Sequence, residues 1–292
     1  MGNDQDTDVE DIGIAEAYER YDTVERPHDG EWIYQNVSLD RDGSVLTITM
    51  ERSDADNRID GDMAMDLKTA TKDAYRDDDI RCVVLRGTGD AFCTGIDVDH
   101  LEGDEYDGQV YRVLANRVHS TISYLVGMDK PVVAAVEGVA ANGGVGLTLA
   151  ADLVLVDTDA TFECTYHEIG LTGDCGITYF LPRYLGTGRA RQVLLGRRTI
   201  DADDALEHGI AVDAVPAERF DERLETLVSD VVDGPTKSFG KMKDLLTDGP
   251  HAGLVEHLKA EESAVVSVAK TEDFRRGVRA YRENDTPSFE GT

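Results

Sequence analysis

The chain is poor in lysine and has no long apolar run. Eight of its 292 residues are lysine, acidic residues outnumber basic ones by 59 to 29, and the formal net charge is −30. A surface of this sign repels phosphodiester backbones and anionic lipids, so we expect neither nucleic acid nor a membrane as a partner. The absence of about 18 consecutive apolar residues excludes a membrane-spanning helix. Acid excess with scarce lysine is typical of a halophilic surface, whose self-repulsion salt screens.

Cysteine and metal-ligand spacings are also scarce. The four cysteines, Cys82, Cys93, Cys164 and Cys175, show no CxxC spacing, which predicts buried thiols rather than disulfides or a zinc framework. The seven histidines show no HExxH spacing, so we expect no metal site. Residues 1–30 are acidic and polar, which predicts a disordered segment without the basic and apolar regions of a signal peptide. These features together indicate a cytoplasmic protein.

The alternation of predicted strands and helices defines the fold class. Hydrophobic alternation and short apolar runs predict strands, helical spacing predicts two long helices, and from about residue 186 the pattern is mostly helical to about 283. Strands that alternate with helices indicate an α/β fold. We therefore divide the chain into an α/β core at 31–225 and a helical region at 226–292. The predicted strands cover residues 32–39, 44–50, 81–87, 131–138 and 153–157, and the predicted helices cover 61–76 and about 106–127.

Two glycine-containing loops each follow a predicted strand. They are "GTGDAFCTGID", Gly87–Asp97, and "VEGVAANGGVGLTLAAD", Val136–Asp152. The second has neither the lysine of a P-loop nor the GxGxxG arrangement, so each loop alone is either a tight turn or a ligand-binding loop. A third stretch, "YHEIGLTGDCGITYFLPR", holds one acidic residue, Asp174, in the small-residue run Gly170–Gly176. Asp174 either caps a helix that begins near Cys175 or takes part in chemistry.

These segments, together with "ADDALEHGIAVDAV", resemble the crotonase superfamily, the enoyl-CoA hydratase/isomerase family, over about residues 32–285. The resemblance implies a crotonase-like α/β spiral of ββα units followed by a C-terminal helical trimerisation region. It also implies a homotrimer or homohexamer and an acyl-CoA thioester substrate. Coenzyme A would enter as part of the substrate, so no separate cofactor is expected. Fatty acid or aromatic acid degradation is the setting that such enzymes imply.

The same resemblance implies an oxyanion hole made of two backbone N–H groups, which by position belong to Ile96 and Gly143. Donors that are already fixed in place stabilise a developing enolate oxygen, and they need no Lys or Arg. The neighbouring glycines Gly95 and Gly144 are expected to contact the substrate. Arg58 lies in the segment that matches the family's region near the nucleotide, and we expect it to bind there.

The sequence departs from a typical hydratase at both catalytic glutamates. The matching positions hold Gly146 and Tyr166, and the nearby His167 and Glu168 are expected to face solvent. Asp174 matches the catalytic aspartate of three branches: the dienoyl-CoA isomerases, the phenylacetate-pathway isomerases and 4-chlorobenzoyl-CoA dehalogenase. The loop around Asp174 is most similar to the phenylacetate-pathway group. In the dehalogenases, a catalytic histidine and an active-site tryptophan match His119 and Tyr166.

The residues therefore support two enzymatic hypotheses. In the favoured one, Asp174 acts alone as base and then acid to shift a C=C bond beside a thioester. In the alternative, Asp174 and His119 carry out acyl-CoA hydrolysis or a dehalogenase-like displacement, with Tyr166 as an orienting residue or pocket wall. An atypical hydratase and a non-catalytic crotonase-fold module also stay open. A lone histidine on the flank of a helix stripe, as His119 is, is more often a satisfied core or surface residue than a functional one.

Overall fold

The computed structural model describes residues 32–99 and 101–292, and the predicted acidic segment 1–30 lies outside the described residues. The larger of the two sheets contains six strands: β1 (Val37–Asp42), β2 (Val45–Met50), β3 (Cys82–Gly87), β5 (Val132–Val136), β7 (Leu153–Asp157) and β10 (Asp213–Val215). They lie in the order β1-β2-β3-β5-β7-β10. The strands are parallel from β2 onwards, and β1 is antiparallel to β2.

A smaller sheet is built from short strands that directly follow strands of the larger one. Its order is β4-β6-β8-β9, where β4 (Ala91–Cys93), β6 (Val139–Ala141) and β8 (Thr161–Glu163) are parallel. The antiparallel β9 (Ile200–Asp201) completes it. Thus β3 leads into β4, β5 into β6 and β7 into β8, and a helix follows each pair. The chain therefore repeats a ββα unit three times.

The helices follow the predicted spacing in the first half of the chain. The first long helix is α1 (Gly61–Arg76), which Asp60 caps by accepting a hydrogen bond from the Met63 N–H at 2.9 Å. The helices that complete the ββα units are α2 (Asp107–Gly127), α3 (Gly143–Leu149) and α4 (Ile177–Gly196). The later helices are α5 (Ala202–Glu207), α6 (Phe220–Val232), α7 (Thr236–Asp248), α8 (Leu254–Val268) and α9 (Glu272–Glu283).

Both faces of the larger sheet are covered, which explains its continuous apolar strands. Along β3, Val83 and Leu85 join the main core, whereas Cys82 and Val84 pack in a second cluster. The helix α6 covers that second face with residues spaced about one helical turn apart: Phe220, Leu224, Leu227 and Val231. This spacing places one apolar stripe against the sheet. None of the helices within the described residues has the length and apolar content that a bilayer crossing requires.

The mixed α/β class is confirmed, and one local prediction is corrected. The strand predicted at 32–39 begins only at Val37 and continues to Asp42. The residues just before this strand are held by a side chain instead, because the N–H groups of Gln35 and Asn36 donate to the carboxylate of Asp66. The division placed at residue 225 falls inside α6 and stays a prediction.

The C-terminal tail is fastened to the start of α9 by one buried carboxylate. Asp273 accepts hydrogen bonds from the N–H groups of Glu290 and Gly291 at 2.9 and 2.7 Å. It also pairs with Arg276 at 2.9 Å. Burial raises the pKa of Asp273, but the Glu290 N–H, the Arg276 guanidinium and the Gly291 N–H together lower it below its usual value. The carboxylate form of Asp273 therefore holds the tail in place.

Acidification is expected to release this tail. Because the folded-state pKa of Asp273 is depressed, its stabilisation is present above the unfolded pKa of about 4 and is lost as the pH falls through the folded value. Hydrogen exchange should show that the Glu290 and Gly291 amides keep their protection from pH 7 down to about pH 4 and lose it as the pH falls further. Asp273→Asn should lose it already at pH 7, while Asp285→Asn, at an exposed carboxylate, should behave as wild type. Full protection in Asp273→Asn would contradict this role.

Candidate active site

Three loops meet at one edge of the smaller sheet. They follow the parallel strands β4, β6 and β8, and they contain Gly95–Ile96, Asn142–Gly143 and Thr165–Asp174. Because the carboxyl ends of neighbouring parallel strands lie at the same edge, residues far apart in sequence converge there. This edge is where the structure brings most of the predicted site residues together.

The Ile96 and Gly143 amides lie beside each other and are available to a ligand. Ile59 forms a bridge with Ile96, in which the Ile59 N–H donates to the Gly95 carbonyl and the Asp97 N–H donates to the Ile59 carbonyl. The Ile96 N–H therefore points to the opposite side. There, an ideal Cβ on Gly143 would lie 3.7 Å from the Ile96 nitrogen. Within the described part of the chain, neither the Ile96 nor the Gly143 N–H donates a hydrogen bond.

Close backbone contacts explain the glycines around these amides. Gly95 has φ +98°, and a Cβ there would lie 2.8 Å from the Asn142 Cβ and 2.9 Å from the Gly143 nitrogen. A Cβ on Gly144 would meet the Cys93 carbonyl oxygen at 1.9 Å. These glycines therefore let the loops after β4 and β6 approach each other. Substrate contacts of Gly95 and Gly144 stay predictions.

The Asn142 side chain fixes the second amide loop to the third. Its Nδ2 donates to the Thr165 Oγ1, and its Oδ1 accepts from the Thr165 N–H, both at 2.8 Å. Asn142 itself has φ +49°, an uncommon value for a residue other than glycine. Gly143 begins α3 directly after it. The paired hydrogen bonds hold Asn142 in this conformation and aim the Gly143 N–H.

Asp174 and His119 form the chemical centre of the site. The His119 Nε2 and the Asp174 Oδ1 lie 2.6 Å apart, and the two side chains are 52% and 15% exposed. His119 comes from the middle of α2, whereas Asp174 comes from the loop before α4. The distance is that of a strong charge-assisted hydrogen bond. This contact favours a polar role for His119 in the pair over a role in packing alone.

Asp174 does not cap a helix. The helix α4 begins at Ile177, its N-cap residue is Gly176, and no side chain makes a capping hydrogen bond there. Cys175 and Gly176 have φ +53° and +77°, so the chain turns sharply between Asp174 and the helix. This turn carries the carboxylate away from the helix start and towards α2. The capping interpretation of Asp174 was therefore wrong.

Two tyrosines line the surroundings of Asp174. The buried Tyr166 hydroxyl donates to the Asp174 main-chain carbonyl at 3.4 Å, not to its carboxylate. Burial raises the pKa of Tyr166 well above its usual range, and the nearby Cys175, Tyr111 and Asp174 raise it further. Tyr166 is therefore a neutral phenol, and its hydrogen bond supports the loop that carries Asp174.

Tyr111 was missed by the sequence reasoning. Burial raises the pKa of its phenol far above the usual range, and the neighbouring Asp174 and Cys175 raise it further. Tyr111 lies eight residues before His119 on α2, so both fall on one helix face. That spacing was the available signal. The structure thus places a second polar side chain of α2 near the Asp174 carboxylate.

His167 was wrongly expected to face solvent. Both of its ring nitrogens are buried and lack a hydrogen-bond partner in the described structure. The ring lies in a short 3₁₀ turn, Tyr166–Ile169, whose tight geometry turns His167 inward while Glu168 is exposed.

Arg58 is engaged by neighbouring carboxylates. Its Nη1 lies 2.6 Å from Asp99 and 3.3 Å from Asp97. The pKa of Arg58 is raised, first by the hydrogen bond to Asp99. Asp97 also pairs with Arg52 at 2.8 Å. This network braces the loop that carries Ile96, and the predicted nucleotide contact of Arg58 stays a prediction.

A cavity of about 580 Å³ begins one helical turn beyond His119. It lies between α2, α4 and α7, and its lining includes Ile122 and Val126 of α2 and Phe180 of α4. Phe180 packs against Gly176, where an ideal Cβ would lie 2.6 Å from its ring. The cavity therefore lies close to the loop that carries Asp174.

The structure also explains why position 146 holds no glutamate. A Cβ on Gly146 would lie 2.2 Å from the Cys175 carbonyl oxygen and 2.7 Å from the Cys175 Cβ. The Asp174–Cys175 loop thus packs directly on α3 and fills the space that a side chain at 146 would need. The two-glutamate arrangement and this loop position exclude each other.

Gly146→Ala is expected to destabilise the protein by about 3 kcal/mol, because overpacking against backbone has no flexible side chain to relieve it. Denaturant unfolding would measure the loss. Gly188→Ala is the matched control, since Gly188 also lies in a helix but has nothing within 4 Å of its Cβ position. The control should be neutral or slightly stabilising. Equal stability of the two variants would contradict the packing described for Gly146.

The chain is similar to known proteins over most of its length. The family model for enoyl-CoA hydratase/isomerase matches residues 40–292. The chain is 30% identical to 1,2-epoxyphenylacetyl-CoA isomerase of Escherichia coli, covering 85% of this chain and 95% of that protein. It is 28% identical to 4-chlorobenzoyl coenzyme A dehalogenase-1 of an Arthrobacter species, covering 87% and 92%.

A solved structure confirms the predicted spiral of ββα units. The crystal structure of an enoyl-CoA hydratase from Bacillus anthracis superposes with a TM-score of 0.82 at 26% identity, covering 88% of this chain and 100% of that one. The predicted crotonase-like fold and C-terminal helices are therefore confirmed. With the family model matching most of its length, the chain belongs to the enoyl-CoA hydratase/isomerase family.

Proposed function

We propose that this acyl-CoA enzyme is an isomerase that shifts a C=C bond beside a thioester, with Asp174 as its acid and base. One observation carries the proposal: Asp174 is the carboxylate next to the paired amides. The Cys175 Sγ lies 3.2 Å from the Cβ position of Gly143 and within 4.8 Å of an Asp174 carboxylate oxygen. The chain has no carboxylate at positions 146 and 166, where a hydratase holds water.

The proposed reaction needs one carboxylate and two amides. The Asp174 carboxylate takes a proton from C2 of a 3-enoyl thioester, and the C–H electrons pass into the thioester as a dienolate. The Ile96 and Gly143 N–H groups hold the oxygen on which the negative charge develops. The same carboxyl group then returns the proton to C4, which leaves a 2-enoyl thioester. Atoms are conserved, and no external water, oxidant or reductant takes part.

We place the acyl group in the cavity beside α2 and α4. The lining of this cavity is mainly apolar, which suits an aliphatic or aromatic chain of the kind released in fatty acid or aromatic acid degradation. Coenzyme A belongs to the substrate in this proposal, and no separate cofactor is required. The extreme acidity of the chain is consistent with a halophilic surface.

The mass of the product and the position of its double bond together test the proposed activity. A set of 2-enoyl, 3-enoyl and aromatic acyl-CoA thioesters is incubated with the protein in ordinary water and in water labelled with heavy oxygen. Isomerisation predicts products of unchanged mass in both solvents, with the double bond moved. An added oxygen label in the product, or no conversion of any 3-enoyl thioester, would overturn the proposal.

The 2.6 Å contact between His119 and Asp174 favours a second candidate. Here the Asp174 carboxylate attacks either the thioester carbonyl carbon, which expels coenzyme A as its thiolate, or a halogen-bearing ring carbon, which expels halide. His119 then takes a proton from the water that hydrolyses the resulting anhydride or aryl ester and releases the product. Histidine suits this role because its charge changes near neutral pH. This hydrolytic or dehalogenase-like reaction would incorporate the heavy-oxygen label.

His119→Gln separates the two candidates. For the isomerase, His119 only positions the carboxylate, so the variant should retain turnover within about tenfold. For the hydrolytic enzyme, turnover should fall by about 10²–10⁴ with thioester binding intact. Single-turnover kinetics and thioester titration measure both quantities. His208→Gln, at a half-buried histidine that lies 3.2 Å from Arg189 of α4, serves as the matched control.

We further propose that the chain forms a homotrimer or a pair of trimers. In α8, five apolar side chains are more than half exposed, and none of its residues is buried. An apolar helix surface of this kind is typical of an interface between subunits. The exposed apolar residues of α8 are Leu254, Val255, Leu258, Val265 and Val266.

A further inference from the structure

Three chemically different side chains converge beside the paired amides. The His119 Nε2, a carboxylate oxygen of Asp174 and the Cys175 Sγ all lie within 4.8 Å of one another. Imidazole, carboxylate and thiolate together form a ligand set typical of zinc. The sequence gives no spacing signal for such a site, because His119 comes from α2 and the other two come from a loop 55 residues later.

We propose that His119, Asp174 and Cys175 bind a thiophilic divalent cation of the zinc class, reversibly and in the absence of substrate. Tetrahedral zinc with its usual bond lengths requires ligand atoms about 3.3–3.6 Å apart. The His119 Nε2 and the Asp174 Oδ1 would separate from 2.6 Å, and the Cys175 Sγ would move inward. Both movements are small, and the half-exposed imidazole has room to rotate.

The second carboxylate oxygen of Asp174 also supports this site. The Asp174 Oδ2 is buried and makes no hydrogen bond of ordinary geometry within the described residues, although the Tyr111 hydroxyl and the Cys175 thiol lie near the carboxylate. Such an atom is costly to bury unless a ligand satisfies it. His119 is 52% exposed, so an ion can reach the site from solvent and keep a water as its fourth ligand.

Cys175 is the residue that gives the site its preference for soft ions. Thiolate sulfur is a soft ligand, and the thiol proton leaves when the metal binds. A hard cation such as Mg²⁺ gains nothing from a thiolate and is expected to bind poorly.

The bound ion would block the amides. The Cys175 Sγ lies 3.2 Å from the Cβ position of Gly143, so an ion on this sulfur stands where the thioester carbonyl is expected. Metal and acyl-CoA should therefore exclude each other. This consequence rests on the proposed function, whereas metal binding itself does not.

To test the site, the full chain is first freed of metal with a chelator. It is then titrated with Zn²⁺, followed by calorimetry, and with Co²⁺, followed by absorption spectroscopy. We expect one ion per chain and a thiolate-to-cobalt charge-transfer band. Cys175→Ser should lose the band and bind at least about tenfold more weakly. Cys82→Ala, at another buried thiol in the second core cluster, should bind like wild type. Circular dichroism confirms that each variant is folded.

Each possible result of the titrations either supports or overturns the metal site. Absence of the charge-transfer band, or equal affinity of wild type and Cys175→Ser, overturns the metal site. Loss of binding in Cys82→Ala as well overturns its location. A site that binds Co²⁺ but is unaffected by any CoA thioester leaves the inference standing and counts against the proposed function instead.

Discussion

Asp174→Asn is expected to lower kcat for double-bond migration by about 10²–10⁴-fold, the largest effect in this site, because the amide cannot accept and return a proton. The change is nearly isosteric, so the Asp174 loop should keep its place on α3. KM should change little, since binding of coenzyme A does not depend on this carboxylate. Steady-state kinetics with a 3-enoyl-CoA thioester measure both parameters.

Glu168→Gln is the matched control for this loss of charge. Glu168 lies in the same loop, six residues before Asp174, and it is exposed. Its variant should keep wild-type kcat, and both variants should have wild-type melting temperatures. Wild-type turnover by Asp174→Asn would remove Asp174 from the mechanism. An equal loss in both variants would show that the effect is one of overall charge.

The fold was largely predictable because its signals are local. The helix predicted at 61–76 and the strand predicted at 153–157 match α1 and β7. Their apolar residues repeat with helical or strand periods, and these periods survive tertiary packing. The first strand was misplaced because its preceding residues bind a carboxylate of α1, Asp66, which no local pattern shows.

The chemical partners of the site were less predictable. The pairing of His119 with Asp174 depends on how α2 crosses the loop before α4, and no periodicity reports that crossing. The positive φ of Cys175 turns Asp174 out of the capping position, although aspartate before a predicted helix usually caps it. The need for glycine at position 146 is visible only in the structure, where Cys175 packs against it.

The acidity of the chain gives the paired amides added importance. With a formal net charge of −30, a developing enolate is repelled by the average field of the protein. Neutral main-chain donors at the start of α3 supply local positive potential without a basic side chain. The Ile96 and Gly143 N–H groups are therefore the feature on which charge stabilisation depends, whichever proton transfer follows.

Gly95→Ala is expected to reduce kcat by about 10²–10³-fold, comparable to removal of one oxyanion donor. A Cβ at this position would lie 2.9 Å from the Gly143 nitrogen and 2.8 Å from the Asn142 Cβ. The added methyl group must push the two amide loops apart, so both donors can no longer reach one oxygen. Stopped-flow kinetics with a saturating 3-enoyl-CoA thioester measure the effect.

Backbone strain has to be separated from this steric effect, because Gly95 also has φ +98°. An alanine at positive φ costs about 1–2 kcal/mol of stability by itself. Gly209→Ala carries that cost alone, since Gly209 has φ +70° and nothing within 4 Å of its Cβ position. Gly95→Ala should therefore lose more stability than Gly209→Ala, because overpacking adds to the cost of the positive φ, and only Gly95→Ala should lose turnover. If the two variants retain the same kcat, the Ile96 and Gly143 amides do not act together on one oxygen.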